Sequence, residues 1–253
     1  MKYDVQLCEV LRRTQTAENT FDYTVLAPKL AEVAQPGQFA HIYVPGKTLR
    51  RPISICDIDK KNGTLRFVFQ IRGAGTEQLS KFEVGDKMDI LAPLGHGFTF
   101  DPNAHNLFIG GGIGVPPMLE LAKELDCEKT IVLGYRDELF LNKEFEQYGK
   151  VVIATEDGSC GTKGNVLDAI RAESVDGQVI YSCGPTPMLR ALKQYAADKG
   201  IEAWISLEEK MACGIGACLA CVCKSKDVDH HTNVHNKRIC KDGPVFNAQE
   251  VEL

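Results

Sequence analysis

Residues 109–118 read IGGGIGVPPM, and this stretch decides how the second half of the chain folds. It follows an apolar run that predicts a β-strand at Leu107–Ile109, and it opens a helical pattern at Pro116–Leu125. Glycines in such a turn allow close approach to a pyrophosphate, whose charge the helix N-terminus stabilises. Because the string is not the strict G-x-G-x-x-G, it also fits a purely structural turn.

A second loop of this kind, SCGPTPM at residues 182–188, lies between a predicted strand at Val179–Ser182 and a helical pattern at Thr186–Lys199. Further strands are predicted at Thr130–Leu133, Val151–Ala154 and Ala203–Leu207, the last closing this domain. Alternating strands and helices predict a doubly wound parallel sheet with helices on both faces. Ligands of such sheets bind at the carboxyl ends of the strands, so the two loops together predict a dinucleotide site.

The first 98 residues show a different pattern, in which short β-rich runs alternate with turn signals such as Pro36-Gly37 and Asn62-Gly63. Strands are predicted at Tyr3–Leu11, Thr20–Leu26, Gln38–Val44, Pro52–Ile58, Leu65–Ile71 and Lys87–Leu91. Six short strands at this spacing predict a small antiparallel β-barrel. A helical turn is expected at Thr76–Phe82, with Thr76 as its cap. The Gly95–Phe98 segment at the barrel exit fits either a cofactor loop or a linker.

Two strings in the barrel suit phosphate groups. Arg50-Arg51-Pro52-Ile53-Ser54 offers a guanidinium and a hydroxyl, and Gly73-Ala74-Gly75-Thr76 offers backbone N–H groups at a helix start. The arginine string is common, and an exposed edge strand is the alternative interpretation.

The ten cysteines are unevenly distributed, and five of them fall within residues 213–240. Cys213, Cys218 and Cys221 follow a C-x4-C-x2-C pattern, and Cys240 comes after 18 intervening residues. This spacing is typical of plant-type [2Fe–2S] clusters, and Gly214 supplies backbone freedom to the loop.

Two other metal sites are possible in this segment. Structural zinc sites usually show paired short spacings on both sides, which are absent here. A Rieske centre needs two histidines, and His230, His231 and His235 lie in a polar stretch that fits a solvated loop. We rank the ferredoxin-type cluster first, zinc second and the Rieske form third. Cys223, two residues after Cys221, is ambiguous from its spacing, and a buried thiol that binds no metal is the alternative to a ligand.

Composition and charge exclude several functions. With 29 Lys and Arg against 34 Asp and Glu, the net charge is −5, so nucleic acid is not an expected partner. The sequence contains no apolar run of about 18 residues, so it predicts no membrane-spanning helix. Residues 1–6 lack a secretory pattern, so we expect a cytoplasmic protein. The predicted domains are residues 1–100 (barrel), 101–207 (nucleotide domain) and 208–253 (cluster domain).

The order of these motifs resembles the ferredoxin–NADP reductase superfamily. More narrowly, EKMACGIGACLAC at residues 209–221 and CKDGPVF at residues 240–246 resemble the electron-transfer subunits of class 1B dihydroorotate dehydrogenases. The resemblance covers essentially the whole chain. The fold it implies has an antiparallel barrel that binds FAD, a doubly wound parallel-sheet NAD domain and a small C-terminal [2Fe–2S] domain.

The resemblance also implies site residues. For FAD they are Arg51, Pro52, Ile53, Ser54, Val68, Phe69, Gln70, Gly75 and Thr76. For NAD they are Gly110, Gly111, Gly112, Gly114, Cys183, Gly184 and Pro185, with Cys183 near the nicotinamide. The implied iron ligands are Cys213, Cys218, Cys221 and Cys240. Ile53 stands where the superfamily often has an aromatic residue, and the segment between Cys221 and Cys240 is long and His-rich for the family.

The function implied by the resemblance is electron transfer from the FMN of a catalytic subunit, through [2Fe–2S] and FAD, to NAD+. The partner oxidises dihydroorotate to orotate in pyrimidine (UMP) biosynthesis, in a heterotetramer of two subunits of each kind. No catalytic residue is expected on this chain. Asp137 and Glu138 favour NAD over NADP, because they would repel a 2′-phosphate, although Arg136 could bind one.

Three alternatives stay open. One is a flavin and iron–sulfur NAD(P)H reductase subunit of a hydrogenase or of a ferredoxin–NADP transhydrogenase. Another is a stand-alone reductase with a soluble acceptor. The third is a zinc-stabilised interaction module without catalysis.

Overall fold

The computed structural model describes residues 3–228 and 233–253 and contains a closed barrel, a seven-stranded sheet and a two-stranded ladder. The barrel strands are β1 (Asp4–Ala17), β2 (Thr20–Leu26), β3 (Phe39–Ile42), β4 (Arg51–Asp59), β5 (Thr64–Gln70) and β6 (Lys87–Leu94). They close in the order β1-β2-β5-β4-β3-β6, and every neighbouring pair is antiparallel. The six-stranded antiparallel barrel predicted from the sequence is confirmed.

The barrel interior is filled by the inward-facing residues of these strands. Tyr23, Ile42, Ile55 and Phe67 are fully buried in one apolar cluster. Because side chains alternate along a strand, the intervening residues face outward, toward the second sheet or solvent. The barrel therefore supplies a rigid support for the ends of β4 and β5.

Two short helices belong to this half, α1 (Pro28–Val33) and α2 (Ala74–Leu79). The expected helical turn at Thr76–Phe82 is corrected, because α2 begins after Gly73 and places Thr76 inside the helix. The Thr76 hydroxyl accepts a hydrogen bond from the Arg72 N–H (2.8 Å) and donates to the Gly73 carbonyl (3.2 Å). Thr76 thus closes the turn before α2 without capping it.

The strands of the seven-stranded sheet are β7 (Asn106–Gly111), β8 (Lys129–Tyr135), β9 (Lys150–Thr155), β10 (Thr162–Lys163), β11 (Val179–Cys183), β12 (Glu202–Ser206) and β15 (Val245–Asn247). Their order in the sheet is β10-β9-β8-β7-β11-β12-β15. Strands β7 to β12 pair in parallel, as predicted. The helices are α3 (Pro116–Glu124), α4 (Asn142–Phe145), α5 (Val166–Ala172) and α6 (Thr186–Lys199). Helices α3 and α4 contribute to one buried cluster, and α5 and α6 to another, which confirms helices on both faces.

The C-terminal segment is joined to this sheet. Strand β15 pairs antiparallel with β12, so the expectation that Ala203–Leu207 closes the sheet is corrected. Phe246 and Val251 are buried in the same cluster as the sheet residues. The segment also contains the ladder β13 (Val222–Lys224) with β14 (Asn236–Arg238), and the short helix α7 (Ile239–Asp242). The cluster segment therefore packs on the edge of the nucleotide sheet.

Within the described residues, no helix has the length and apolar character needed to cross a membrane.

Candidate functional site

A cavity of about 700 Å³ lies where the barrel, the sheet edge and the C-terminal segment meet. Eight of the nine residues expected to bind FAD line it: Arg51, Pro52, Ile53, Ser54, Val68, Phe69, Gln70 and Thr76. Its other walls include Ile113, Leu207, Met211 and Pro244. The cavity lies between the start of β4, the end of β5 and the loop that follows β12 of the second sheet. A space with this lining suits a flat cofactor with a phosphate tail.

Gly75, the ninth expected residue, lies beside this cavity. A Cβ at Gly75 would overlap the Arg51 guanidinium, so only glycine permits this approach. Arg51 Nη1 donates to the carbonyl of Leu49 at 2.6 Å. The guanidinium thus lies against the first turn of α2, where an anion would meet both charge and backbone N–H groups. Arg50 has different contacts, since it pairs with Asp89 at 2.9 Å.

Two of the expected FAD residues also face the barrel interior. Phe69 stacks on Tyr23 with ring centroids 5.6 Å apart, and Ile53 belongs to the barrel core. Their side chains therefore stabilise the wall of the cavity from behind.

A second cavity, of about 980 Å³, lies at the carboxyl ends of the parallel strands. Of the residues expected to bind NAD, Gly111, Gly112 and Pro185 line it. The barrel contributes Asn19, Gln70 and Arg72. The two glycine loops are therefore brought together at one cleft, with the barrel as its opposite wall.

The remaining residues of that set lie beneath the cleft. A Cβ at Gly114 would overlap the carbonyl of Cys183, and a Cβ at Gly184 would overlap the Met188 side chain. Gly110 packs against Val115. These glycines allow the two loops to lie against each other. Cys183 itself is buried, and burial raises the pKa of its thiol above the usual range, with Glu208 adding to the effect and a Ser206 hydrogen bond opposing it.

The acidic residues expected to select NAD line the same cleft. The Glu138 carboxylate accepts a hydrogen bond from the backbone N–H of Glu18 in the β1–β2 turn, at 2.9 Å. Arg136 lies 3.5 Å from Asp137 and is largely exposed. Glu138 therefore links the nucleotide domain to the barrel across the cleft.

Arg72 and Glu208 were missed by sequence reasoning. Arg72 and its neighbour Gln70 line both cavities, so they mark the place where the two cavities meet. Glu208 lines the smaller cavity and is exposed at its surface, where partial desolvation raises the pKa of its carboxyl and Arg72 opposes that rise. In the sequence, Glu208 stands in a charged run with Glu209 and Lys210 that is typical of a solvated loop, and only the fold places it at the same cavity as Arg72.

The four cysteines expected to hold a cluster lie as two pairs. The Cys218 thiol lowers the pKa of Cys213, and the Cys240 thiol lowers the pKa of Cys221, so the members of each pair lie close enough to interact. Within residues 3–228 and 233–253, no three His, Cys, Asp or Glu side chains converge as they would around one metal ion. Two thiol pairs fit the donor set of a two-iron cluster, in which each iron takes two protein ligands.

Backbone N–H groups point at these sulfurs. The N–H groups of Ile215 and Ala217 donate to Cys213 Sγ at 3.5 and 3.3 Å. Burial raises the pKa of Cys213, but these donors and the Cys218 thiol outweigh it and lower the pKa to about 7. The Cys240 thiol lowers the pKa of Cys221 to about 6 and has its own pKa raised in return. One sulfur of each pair is thus stabilised as a thiolate, the form that binds metal.

Two further contacts hold the cysteine loop in place. Gly214 has a φ of +72°, and a Cβ there would lie 2.6 Å from Nδ1 of the buried His41 of β3. Arg238 Nη1 donates to the Gly216 carbonyl of the loop at 3.4 Å and its Nε pairs with Asp242 of α7, the helix that carries Cys240, at 2.9 Å. The loop is therefore fixed to the barrel on one side and to α7 on the other.

The other residues of this segment have different surroundings. Cys223 lies on β13 opposite Lys237 and packs against the sheet core. His235 contacts the Lys226 carbonyl at 2.8 Å. His230 and His231 lie outside the described residues. The Gly95–Phe98 segment packs against the C-terminal segment, since the His96 N–H donates to the Gly243 carbonyl at 2.6 Å.

Comparison with known proteins decides the family. The electron transfer subunit of dihydroorotate dehydrogenase B (NAD(+)) from Geobacillus kaustophilus is 42% identical over 248 residues, covering 94% of each chain. Its counterpart from Fusobacterium nucleatum is 39% identical over 264 residues, covering 98% of this chain and 99% of its own. The chain belongs to this family of electron transfer subunits. The family model for the iron–sulfur cluster binding domain of dihydroorotate dehydrogenase B matches residues 208–252.

Solved structures agree with the architecture of this dihydroorotate dehydrogenase B family member. A chain of the NADH-dependent reduced ferredoxin–NADP oxidoreductase has a TM-score of 0.87 and 31% identity, covering 98% of this chain and 90% of its own. The ferredoxin reductase of carbazole 1,9a-dioxygenase, at 19% identity and a TM-score of 0.66, covers 79% of this chain and 67% of its own and shares the fold. The ferredoxin reductase-like architecture is confirmed.

Proposed function

We propose that this subunit carries electrons between a catalytic partner and NAD, through a [2Fe–2S] cluster and FAD. The observation that carries the proposal is the order of the three sites in one chain. Gln70 and Arg72 line both the nucleotide cleft and the flavin cavity. Met211 lines the flavin cavity and stands two residues before Cys213. The flavin cavity therefore lies between the other two sites.

FAD supplies the link between two-electron and one-electron carriers, because flavins exchange electrons in both ways. Arg51 and Ser54 would bind its phosphates, with backbone N–H groups near Gly75 and Thr76 completing the site. Val68, Phe69 and Gln70 would form one wall, with Pro52 and Ile53 on the neighbouring strand. We further propose Cys213, Cys218, Cys221 and Cys240 as the cluster ligands.

NAD is proposed to bind the larger cleft, against the loops that contain Gly110, Gly111, Gly112 and Gly114 and Cys183, Gly184 and Pro185. Glu138 and Asp137 place negative charge at this cleft, which disfavours the 2′-phosphate of NADP. Turnover with the two nucleotides tests this choice, and a clear preference for NADPH would reject it.

The partner in this proposal is an FMN-containing catalytic subunit that oxidises dihydroorotate to orotate, in a heterotetramer with two subunits of each kind. The overall reaction is dihydroorotate + NAD+ → orotate + NADH + H+, a step of UMP biosynthesis. The pyrimidine chemistry belongs to the partner. We place the complex in the cytoplasm, and we keep the domain boundaries after residues 100 and 207.

The test is anaerobic co-expression with the catalytic subunit. The complex should copurify with FAD, FMN and iron, show a rhombic [2Fe–2S] EPR signal on reduction, and reduce NAD+ with dihydroorotate. A colourless protein without flavin or iron would overturn the proposal and favour a zinc-stabilised module.

A second candidate is a reductase subunit of a ferredoxin–NADP transhydrogenase. It is favoured by the 31% identity and TM-score of 0.87 to the NADH-dependent reduced ferredoxin–NADP oxidoreductase chain. The two candidates differ in the partner: copurification with a subunit that reduces ferredoxin, and no orotate formation, would favour the second.

A further inference from the structure

Helix α3 is joined to barrel strand β4 by a group of buried polar contacts, which we call the α3 latch. Glu120 is fully buried, and its Oε2 accepts a hydrogen bond from the backbone N–H of Ile58 at 2.7 Å. Lys123 Nζ donates to Asp57 Oδ1 at 2.9 Å and to the Ile58 carbonyl at 2.8 Å. Lys123 also lies 3.2 Å from Glu120. Four residues therefore connect the nucleotide domain to the barrel.

Both elements of the α3 latch carry cofactor segments. Strand β4 begins at Arg51, and Ser54 lies three residues before Asp57, about 10 Å along a strand. Helix α3 begins at Pro116, directly after the glycine turn, and Glu120 lies about 6 Å further along its axis. The latch thus joins a flavin-binding strand to a nucleotide-binding helix, each close to its ligand.

The polar character of the α3 latch is costly for stability alone. Glu120 Oε1 is buried without a hydrogen-bond partner among the described residues. A buried carboxylate oxygen without a partner carries a desolvation cost. An apolar pair of similar volume often stabilises the folded state as much as a buried ion pair does, or more. A hydrogen bond to a backbone N–H is directional, whereas apolar packing is not. The hydrogen bond from the Ile58 N–H to Glu120 therefore fixes the position of α3 relative to β4.

We propose that Glu120 and Lys123 are positioning residues that set the alignment of the nicotinamide with the flavin ring. The proposal rests on the proposed function. Transfer between the two rings requires contact in a narrow range of distance and orientation, and a shift of about 1 Å can cost on the order of 10²-fold in rate. Glu120 ties α3 to the Ile58 N–H of β4, and Lys123 ties it to Asp57 and to the Ile58 carbonyl, so the helix and the strand are joined at three points.

The test is a single turnover of the anaerobic holo-complex, NADH + FAD + H+ → NAD+ + FADH2, followed by flavin absorbance. Glu120→Ala should slow the rate constant at saturating NADH about 10-fold or more. Its FAD content and its flavin reduction by dithionite should match the wild type. Glu120→Gln should restore most of the rate, because the amide oxygen can still accept from the Ile58 N–H. Lys123→Met, which keeps the side-chain length, should slow the same step.

Glu9→Ala is the matched control, since Glu9 forms an exposed ion pair with Lys87 in the barrel. If Glu120→Ala lowers the melting temperature and leaves the saturating rate constant unchanged, the role is structural and the proposal is wrong. Should Glu120→Ala fail to fold, an unchanged rate in Lys123→Met would overturn it equally. A wild-type complex whose FAD is not reduced by NADH would instead reject the proposed function.

Discussion

The two redox regions of the molecule are built from different kinds of backbone. One side of the flavin cavity is formed by the start of β4 and the end of β5, which belong to a closed barrel with fully buried Tyr23 and Phe67 behind them. The cysteine loop has no helix or strand from residue 207 to residue 221, and φ is positive at Gly214, Gly216 and Leu219. The first region is organised by the protein core, and the second by local turns.

This difference indicates how each region depends on its ligand. A cavity supported by barrel strands keeps its shape because the core is buried whether or not the cofactor is bound. A loop that brings thiols together gains much of its folding energy from the metal, since metal binding and folding are coupled. Loss of the cluster should therefore leave the flavin half intact.

The strongest test of that contrast is Cys240→Ser. Because Cys240 is one of the four proposed ligands and its thiol influences the pKa of Cys221, we expect the variant to lose the [2Fe–2S] absorbance and EPR signal and the activity of the complex with dihydroorotate. FAD content and FAD reduction by NADH should remain. Cys160→Ser, at an exposed cysteine distant in sequence from the loop, is the control. Full iron content in Cys240→Ser would contradict the ligand assignment.

Arg51→Ala should have the next largest effect, on the flavin half. Removing a charge-assisted hydrogen bond costs about 1.5–3 kcal/mol, so the Kd for FAD should rise roughly 10- to 150-fold. The neighbouring Arg50→Ala is the matched control, because Arg50 pairs with Asp89. Titration of the apoprotein with FAD measures both, while iron content should not change. Equal losses of affinity in the two variants would show that charge near the cavity, rather than the Arg51 position, binds the phosphates.

The regions also differ in how much of them could be predicted from sequence. Helix α6 was predicted with its observed bounds, because a 14-residue amphipathic pattern starts at prolines and ends at Gly200. Helix α1 and strand β15 were missed, since six and three residues are too short for a periodic signal. The barrel followed from its turn residues, and the cysteine set from its spacing.

Contacts between distant segments could not be predicted in this way. Glu120 and Ile58 are separated by 62 positions, and a buried glutamate within an amphipathic helix has no sequence signature. Arg72 gave no signal for its place between two cavities, because that place depends on how the barrel docks on the sheet. Sequence spacing identifies residues of one segment that bind one ligand. Contacts between distant segments can be identified only from the folded structure.

Docking of the two halves can be tested by pH. Burial raises the pKa of Glu120 to about 7, and the nearby negative charge of Asp57 adds to the rise. The hydrogen bond from the Ile58 N–H and the positive charge of Lys123 lower the pKa and offset part of it. The folded state thus binds the proton more tightly than the unfolded state, so stability should fall as pH rises from about 4.5 to 7. We expect wild type to lose roughly 1–3 kcal/mol relative to Glu120→Gln across that window. Urea unfolding at pH 5 and pH 8 measures it, and parallel pH profiles would contradict the assignment.

The smallest effect should come from Cys223→Ser, and it separates ligation from packing within the cysteine segment. Cys223 lies on β13 opposite Lys237 and contacts the sheet core, whereas the thiol partner of Cys221 is Cys240. Serine at this half-buried position should cost about 1 kcal/mol in stability, because a hydroxyl replaces an apolar thiol, and iron content and EPR should be unchanged. If Cys223→Ser lost the cluster while Cys240→Ser retained it, the fourth ligand would lie on the ladder rather than on α7. The cluster would then depend on β-strand pairing, and the contrast between a core-supported flavin site and a turn-supported cluster would no longer hold.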